Sequence, residues 1–439
     1  MKTIRKEVLL VVCILTSLSA MPGVHAGLLD PTGPPAQTMK TLHEVEPRIA
    51  INDENTPGDA NSLYIISEPG SYYLTGNITI NFKHAILITS SDVTLDLMGY
   101  RIYSSYLFIP PGGGTIDFDA IHLSAESKNI KISNGSVVSN RQPSGMMYYK
   151  GFRYGIYSDD SSAQDISIAE MRIVGSRMDG IHLEGANIHV QSCDINSSTL
   201  SGIYIGDDST VSNCKIHDNG NAVSTTVYGV YTGNGSTVSN CKIYNNCCLA
   251  TAQVYAVKGG SGCIIRDNVL YGNLDSASAP EDVIYCVRSG SGSMIIGNTA
   301  YDNADSATAK GLFIIFGYNS STVSNNTAYA NAASANIEMA LHIIHADLYS
   351  TMEDNTASEN GLWSTAQFFY VIAAGQGGTV TGNSASHNGI QVLEAEYPGT
   401  LVGIILPGHN LVDQNTAYDN NGINMNALGG CVFGNNVAP

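Results

Sequence analysis

Thr210-Val-Ser-Asn-Cys-Lys-Ile-His-Asp-Asn219 returns as Thr237-Val-Ser-Asn-Cys-Lys-Ile-Tyr-Asn-Asn246, an offset of 27 residues. The same frame recurs at 294–303, 322–331, 351–360, 379–388 and 411–420, and twelve units align in all. Self-similarity of this kind identifies a repeat architecture, in which each unit buries its apolar face only against its neighbours. The fifth position of the frame reads Gly135, Met171, Cys193, Cys214, Cys241, then Asn268, Asn298, Asn326, Asn355, Asn383, Asn415 and Asn435. Spacings of 20 to 36 residues are too irregular for a helical solenoid and suit coils whose loops vary. Two places further on, Ile195, Ile216, Ile243 and Leu270 give way to Ala300, Ala328, Ala357, Ala385 and Ala417. That column is apolar throughout, so it is expected to face inward.

A second segment precedes the frame, as Gly155-Ile-Tyr, Gly180-Ile-His-Leu, Gly202-Ile-Tyr-Ile and Gly229-Val-Tyr, each followed by a short Gly/Asp/Ser turn. Each coil therefore reads as three short strands with period-2 alternation. The fold class is all-β, a parallel solenoid of about 12 to 13 coils with three short parallel sheets. Asn side chains stacked inward at one corner can donate and accept between coils, so a continuous ladder satisfies amides that would be costly to bury singly. A small neighbour such as Ala would make room for them.

Charge sets limits on partners. There are 38 acidic against 20 basic residues, a net charge of −18, and charged residues make up 13% of the chain. Such a surface has no basic footprint for nucleic acid or anionic membranes. The expectation is no nucleic-acid partner, no membrane insertion and a monomer. Residues 1–26 carry Lys2, Arg5 and Lys6, an apolar run from Val8 to Leu15, and Val24-His25-Ala26, the layout of a signal peptide and its cleavage site. The expected domains are this signal peptide, an N-terminal extension and cap over 27–84, and the solenoid over 85–439, in a protein that is secreted, periplasmic or on the cell surface. Of nine cysteines, Cys13 falls in the leader. Cys193, Cys214 and Cys241 form a column expected to be a buried thiol stack, and Cys247-Cys248 are the better disulfide candidates.

The frame, together with Ser67-Glu-Pro-Gly-Ser-Tyr-Tyr-Leu-Thr-Gly76 and Val93-Thr-Leu-Asp-Leu-Met-Gly-Tyr100, resembles the bacterial right-handed parallel β-helix repeat proteins of the pectate-lyase-like superfamily. The resemblance covers roughly residues 63 to 437. It implies sheets PB1, PB2 and PB3 and an Asn ladder at the corner between the last two. In polysaccharide-active members the substrate lies along the outer face of PB1, beside long loops. Here the long insertions, such as 274–284 and 389–400, flank the Gly-Ile-x strand and mark it as PB1. The superfamily includes lyases, hydrolases, epimerases and adhesins, so fold alone does not select a function.

The outward residue of PB1 reads His122, Tyr157, His182, Tyr204, Tyr231, Lys258, Arg288, Phe316 and His345, and the strand entrance reads Asp119, Tyr154, Asp179, Ser201, Tyr228, Tyr255, Tyr285, Phe313 and His342. Tyr204, Tyr228, Tyr231, Tyr255, Tyr285 and His345 are the candidate sugar-binding residues, with flat faces for stacking and groups for hydrogen bonds. Lys258 and Arg288, on adjacent coils, form a basic spot on an acidic molecule. The resemblance implies that such a pair could include the base of a polysaccharide lyase; otherwise both are solvated rungs or partners of Glu281 and Asp282. Asp159, Asp160, Glu184, Asp207 and Asp208 crowd one corner and could bind Ca²⁺ through hard oxygens, or form a solvated acidic edge. Asp119-Ala-Ile-His122 and Asp179-Gly-Ile-His182 repeat one motif that could serve acid/base work. The Gly-His-Gly and Arg-Ile-Lys motifs of polygalacturonases are absent. The column His217, Tyr244, Tyr271, Tyr301, Tyr329 and Tyr418 reads as stabilising rungs on PB3. The expected function is a secreted carbohydrate-interacting protein, with a polysaccharide lyase acting at PB1 set against a non-catalytic adhesion or structural role. An accessory factor for metal-site maturation is a third reading, for which no Met/His-rich tract is present.

Overall fold

The computed structural model describes residues 48–104, 117–125, 127–139, 151–158, 160–220, 225–389, 400–421, 423–427 and 429–438. The leader and the first part of the extension lie outside them, as does Asp159. The chain divides before Arg48, and the following concerns the unit Arg48–Pro439.

The corners are set by residues that tolerate the left-handed region. Asn213, Asn240, Asp267, Asn325 and Asp354 hold φ of 52–56°, where short polar side chains are favoured over branched ones. The chain reverses there and turns the next side chain inward. Those next residues are Cys214, Cys241, Asn268, Asn326 and Asn355, all 0–1% exposed. The ladder is continuous from Asn268 onward. Asn298 donates its backbone N–H and its amide to Asn326 Oδ1, both at 3.0 Å, and Asn326 does the same to Asn355 Oδ1 at 3.1 and 3.0 Å while also donating to Ile295 O at 2.8 Å. Its last rung is Asn436 and not Asn435. Asn415 donates to Asn436 Oδ1 at 3.0 Å, whereas the Asn435 N–H turns to Asp413. A small neighbour is no condition for a rung, because Asn268 shares its coil with Leu270, itself fully buried.

Five residues on, the turn repeats. Asp218, Asn245, Asp302 and Glu359 are again left-handed, and the buried residues after them build a second amide ladder, Asn219, Asn246, Asn273, Asn303, Asn331, Asn360, Asn388 and Asn420. At the corner after PB1 a hydroxyl ladder passes the N–H of Ser293 to Ser321 Oγ and that of Ser321 to Ser350 Oγ, at 3.4 and 3.1 Å. Each of the three corners thus passes hydrogen bonds from coil to coil, although the Ser176 and Ser198 hydroxyls ahead of Asn219 and the Asn319 Oδ1 beside Ser321 are buried without a partner among the described residues.

Between the corners the strands stack in parallel register. PB1 is a 14-stranded sheet from Ser62–Ile66 to Ile423–Ala427, and the other two strands of each coil join one 26-stranded sheet. They join because Lys128–Ser139 and Gln164–Val174 each run through the corner and pair on both sides of it. Parallel pairing starts ahead of residue 85, since Ser62–Ile66 already pairs with His84–Ile88 and Ile49–Ile51 with Gly70–Leu74. The inward column pairs Ile195, Ile216, Ile243, Leu270, Ala300 and Ala328 in unbroken register, each fully buried. Among the described residues, no helix is long and apolar enough to cross a membrane.

Candidate functional site

Alternation along PB1 sends Ile203, Val230, Val257, Val287 and Ile315 inward and the intervening residues outward. The outward columns fall as the sequence places them. Tyr204 pairs with Tyr231, Tyr231 with Lys258, Lys258 with Arg288, Arg288 with Phe316 and Phe316 with His345. At the strand entrance, Tyr228, Tyr255, Tyr285, Phe313 and His342 pair in the same way.

The rings stack on one another along the axis. Tyr228–Tyr255, Tyr255–Tyr285 and Tyr285–Phe313 have centroids 5.4, 5.3 and 5.2 Å apart with planes within 19°. Tyr204–Tyr231 is closer, at 4.4 Å. Their faces are therefore covered, and what reaches the outside is the ring edge with its hydroxyl. Tyr255 is 1% exposed and supports the site without lining it. Burial and the neighbouring Tyr231 push the Tyr204 hydroxyl up to about 12, so it remains a hydrogen-bond donor at neutral pH.

Lys258 interrupts the outer column of rings. Its Nζ lies 5.4, 5.3 and 4.9 Å from the centroids of Tyr228, Tyr231 and Tyr255, a placement in which ring quadrupoles attract a cation. Burial, and then the charge of Arg288, lower its pKa from the ordinary 10.5. Arg288 sits over Tyr255 and Tyr285 at 5.9 and 5.3 Å. Its Nη1 is 3.5 Å from the Tyr255 hydroxyl, and its buried Nε has no partner. Among the described residues neither cation forms an ion pair, so Glu281 and Asp282 are not their partners.

Across the four coils that precede Lys258, Ser161, Glu184, Ala186, Tyr204, Gly206, Asp207, Tyr231 and Gly233 line a cleft of about 350 Å³. Of the expected acidic corner only Glu184 and Asp207 line this cleft among the described residues, and the corner's carboxylates are partly committed to the backbone. Asp160 accepts the Ser162 N–H at 2.7 Å and Asp207 accepts the Asn234 N–H at 2.7 Å. Glu184 faces His182 Nε2 at 3.4 Å, and Asp208 is itself a left-handed corner residue. The two Asp-x-Ile-His motifs are formed pairs. His122 Nδ1 is 2.9 Å from Asp119 Oδ2 and His182 Nδ1 is 2.7 Å from Asp179 Oδ2. Burial opposes charging of His182, but the Asp179 and Glu184 carboxylates outweigh it and raise its pKa.

His345 is paired with His342, Nδ1 to Nδ1 at 3.0 Å, under Phe313, Phe316 and Tyr370. On PB3, His217, Tyr244, Tyr271, Tyr301 and Tyr329 stack at 4.5–5.2 Å. Tyr418 stands apart from them because Ser358 and Ser386 intervene. Cys247 and Cys248 are both free, as are Cys193, Cys214 and Cys241. Their Sγ atoms point to different groups, Cys247 to Tyr255 O and Cys248 to Gly272 O, and neither of these two disulfide candidates is bonded to another described cysteine.

A family profile described as a right handed beta helix region matches residues 154–279, within the 14 parallel rungs of PB1. The chain folds as a right-handed parallel β-helix. No curated protein matches this β-helix. Among solved structures, the A-module of a mannuronan C-5 epimerase from Azotobacter vinelandii is 14% identical, with 84% of this chain and 91% of that one covered and a TM-score of 0.45. A surface adhesin of Streptococcus pneumoniae is 11% identical over 82% of this chain and 83% of that one, at a TM-score of 0.38. An alginate lyase from a Paenibacillus species is 13% identical over 79% and 98%, at 0.30.

Two features of the site escaped the residue columns. His84 belongs to the entrance column, one coil before Asp119, but Leu87 stands where the Asp-x-Ile-His motif has its histidine. Arg153, which reaches Asp119 at 3.3 Å, comes from the segment before the strand and no periodicity marks it.

Proposed function

We propose that the outer PB1 face of this exported β-helix binds an acidic polysaccharide, with Lys258 and Arg288 meeting a sugar carboxylate. The observation that carries this reading is the pair of half-buried cations without a carboxylate partner among the described residues, on a chain of net charge −18. A buried or half-buried charge is normally paired, and here the tyrosine rings compensate only in part. A uronate carboxylate supplies the missing charge, and the hydroxyl edges of Tyr204, Tyr228, Tyr231 and Tyr285 supply hydrogen bonds to sugar oxygens. Long-range attraction is unfavourable, so recognition is short-range and salt affects it weakly.

On this reading Lys258, as the free amine, acts as the base. Its lowered pKa increases the fraction of free amine, and Arg288 beside it neutralises the carboxylate that acidifies the adjacent C–H. Abstraction of that proton by Lys258 forms a carbon–carbon double bond as the glycosidic C–O bond breaks, and a proton returns to the departing oxygen. If the protein is a lyase, Lys258→Ala reduces turnover on a polyuronate by orders of magnitude and leaves melting unchanged. Its kcat/KM also rises with pH along a limb below the ordinary lysine value of 10.5. The experiment is a screen of the full chain against polyuronates and neutral glycans, following both unsaturated product and binding. Binding without product, weakened by Lys258→Ala, assigns a non-catalytic adhesion role. Failure of all glycans to bind removes the carbohydrate reading.

A further inference from the structure

Twin Asp-x-Ile-His motifs occupy equivalent places on PB1, and only one has a second imidazole beside it. His84 stands one coil before Asp119, where Tyr154 stands one coil before Asp179. His84 Nδ1 is 3.6 Å and His122 Nδ1 2.9 Å from the same atom, Asp119 Oδ2, with the two ring centroids 4.7 Å apart. All three ligand atoms lie within 4.8 Å of one another. Tetrahedral donors at roughly 2.0–2.2 Å from one ion are themselves about 3.3 Å apart, so the triangle is near the size that such an ion needs.

The other carboxylate oxygen is fixed from behind. Asp119 Oδ1 accepts the Tyr154 N–H at 3.2 Å and Arg153 Nε at 3.3 Å, and Asp119 is fully buried. Holding one oxygen this way aims the second at the imidazoles, as outer partners do for metal-binding carboxylates. The His122 side chain is 23% exposed and His84 15%, so a fourth position opens toward the PB1 surface.

We propose that His84, Asp119 and His122 form a binding site for a divalent ion of the zinc class on the outer face of PB1. Two nitrogen donors and one carboxylate select such an ion over Ca²⁺ or Mg²⁺, which prefer oxygen. Binding displaces three contacts, the first being the His122 Nδ1–Asp119 Oδ2 hydrogen bond at 2.9 Å, whose proton leaves to solvent. His84 Nδ1 gives up the Asp119 N–H, now at 3.0 Å, and Arg153 Nη2 gives up Asp119 Oδ2, now at 3.4 Å. The nearby guanidinium limits affinity. In the twin motif Tyr154 offers no ligand there, and Glu184 faces His182 Nε2 at 3.4 Å, so His182 is a matched control.

The test is calorimetric titration of the full, untagged chain with Zn²⁺, with Co²⁺ absorption as a second readout. One equivalent should bind, Co²⁺ should give a tetrahedral visible spectrum, and excess Ca²⁺ should not compete. His84→Gln and His122→Gln should each weaken binding at least tenfold, while His182→Gln leaves it unchanged. Melting without metal identifies any variant that fails to fold, and Asp119 is left intact because its burial makes that outcome the expected one. No binding, or binding that survives both substitutions, overturns the proposal.

Discussion

The inside and the outside of this β-helix are built on the same strands, yet they change along the axis in opposite ways. Inside, a column repeats one residue for many coils, as in Asn268 to Asn415, and each rung does for its neighbour what the neighbour does for the next. Outside, the PB1 columns pass from histidine to tyrosine, then Lys258 and Arg288, then phenylalanine and a histidine pair. Repetition is what stacking requires, because a rung that differs from its neighbours leaves buried groups without partners. Departure from repetition on the outer face has no such cause, and it is there that the candidate site residues fall.

The interior half of this contrast breaks most sharply at Asn326. Asn326→Leu removes the acceptor of the Asn298 N–H and amide and the donor to Ile295 O, and forces a branched side chain into a tight layer. A loss of at least about 3 kcal/mol is expected in denaturant unfolding. An unchanged midpoint would remove the ladder from the account of stability.

The His342–His345 pair tests the outer face. With Nδ1 atoms 3.0 Å apart, one ring carries the shared proton and neither can readily take a second. Tyr370, Asp347 and the uncharged Phe313 and Phe316 are the surrounding groups. Burial lowers both pKa values, His345 to about 4, with Asp347 opposing the shift. The folded value lies below the unfolded 6.5, so stability is intact above 6.5 and is lost as pH falls toward 4, by about 3 kcal/mol for that group. A His342→Phe/His345→Phe variant should lose less between pH 6.5 and 4.5 than the parent. Parallel loss in both proteins would assign acid sensitivity to other groups.

A smaller effect separates the two parts of the first ladder. Cys214 Sγ accepts the Cys193 N–H at 3.4 Å, a weaker bond than the 3.0 Å amide contacts beyond Asn268. Cys214→Ala should therefore cost about 1 to 2 kcal/mol, less than the loss at Asn326. A cost equal to that of Asn326→Leu would show that thiol and amide rungs are equivalent.

Most of the fold was legible because its period is carried by residues with one reason to recur. Gly-Ile-x fixed PB1, and the Ile-to-Ala column fixed the inside. The second amide ladder was equally visible as the closing Asn of every frame, but a corner Asn also caps turns, and only the left-handed residue before it distinguishes the roles. Register placed Lys258 and Arg288 on adjacent coils correctly. What no register could show is ring orientation. A tyrosine column reads the same whether its faces meet solvent or each other, and stacking at about 4.8 Å strand spacing decides for the latter. The third member of the His84, Asp119 and His122 cluster was missed because it comes from a coil without the motif.

The smallest expected effect is at the acidic corner, where the contrast between inside and outside is least clear. Asp160 and Asp207 each spend an oxygen on a turn N–H and Glu184 faces His182, so a calcium ion there would draw mainly on Asp208 and the remaining oxygens. These groups also tie successive corners together, as Asn234 does between Asp207 and Ser261, which is a structural role on an outer edge. Calcium at millimolar concentration should then raise the melting temperature by no more than about 2 °C, since stabilisation grows only with the logarithm of one plus the ion concentration over its Kd, and few free oxygens make that Kd large. Asp207→Asn should abolish that rise while lowering the calcium-free melting temperature slightly. A rise well above this, retained in the variant, would place the ion elsewhere; no rise in the parent would leave the corner as a purely structural acidic edge.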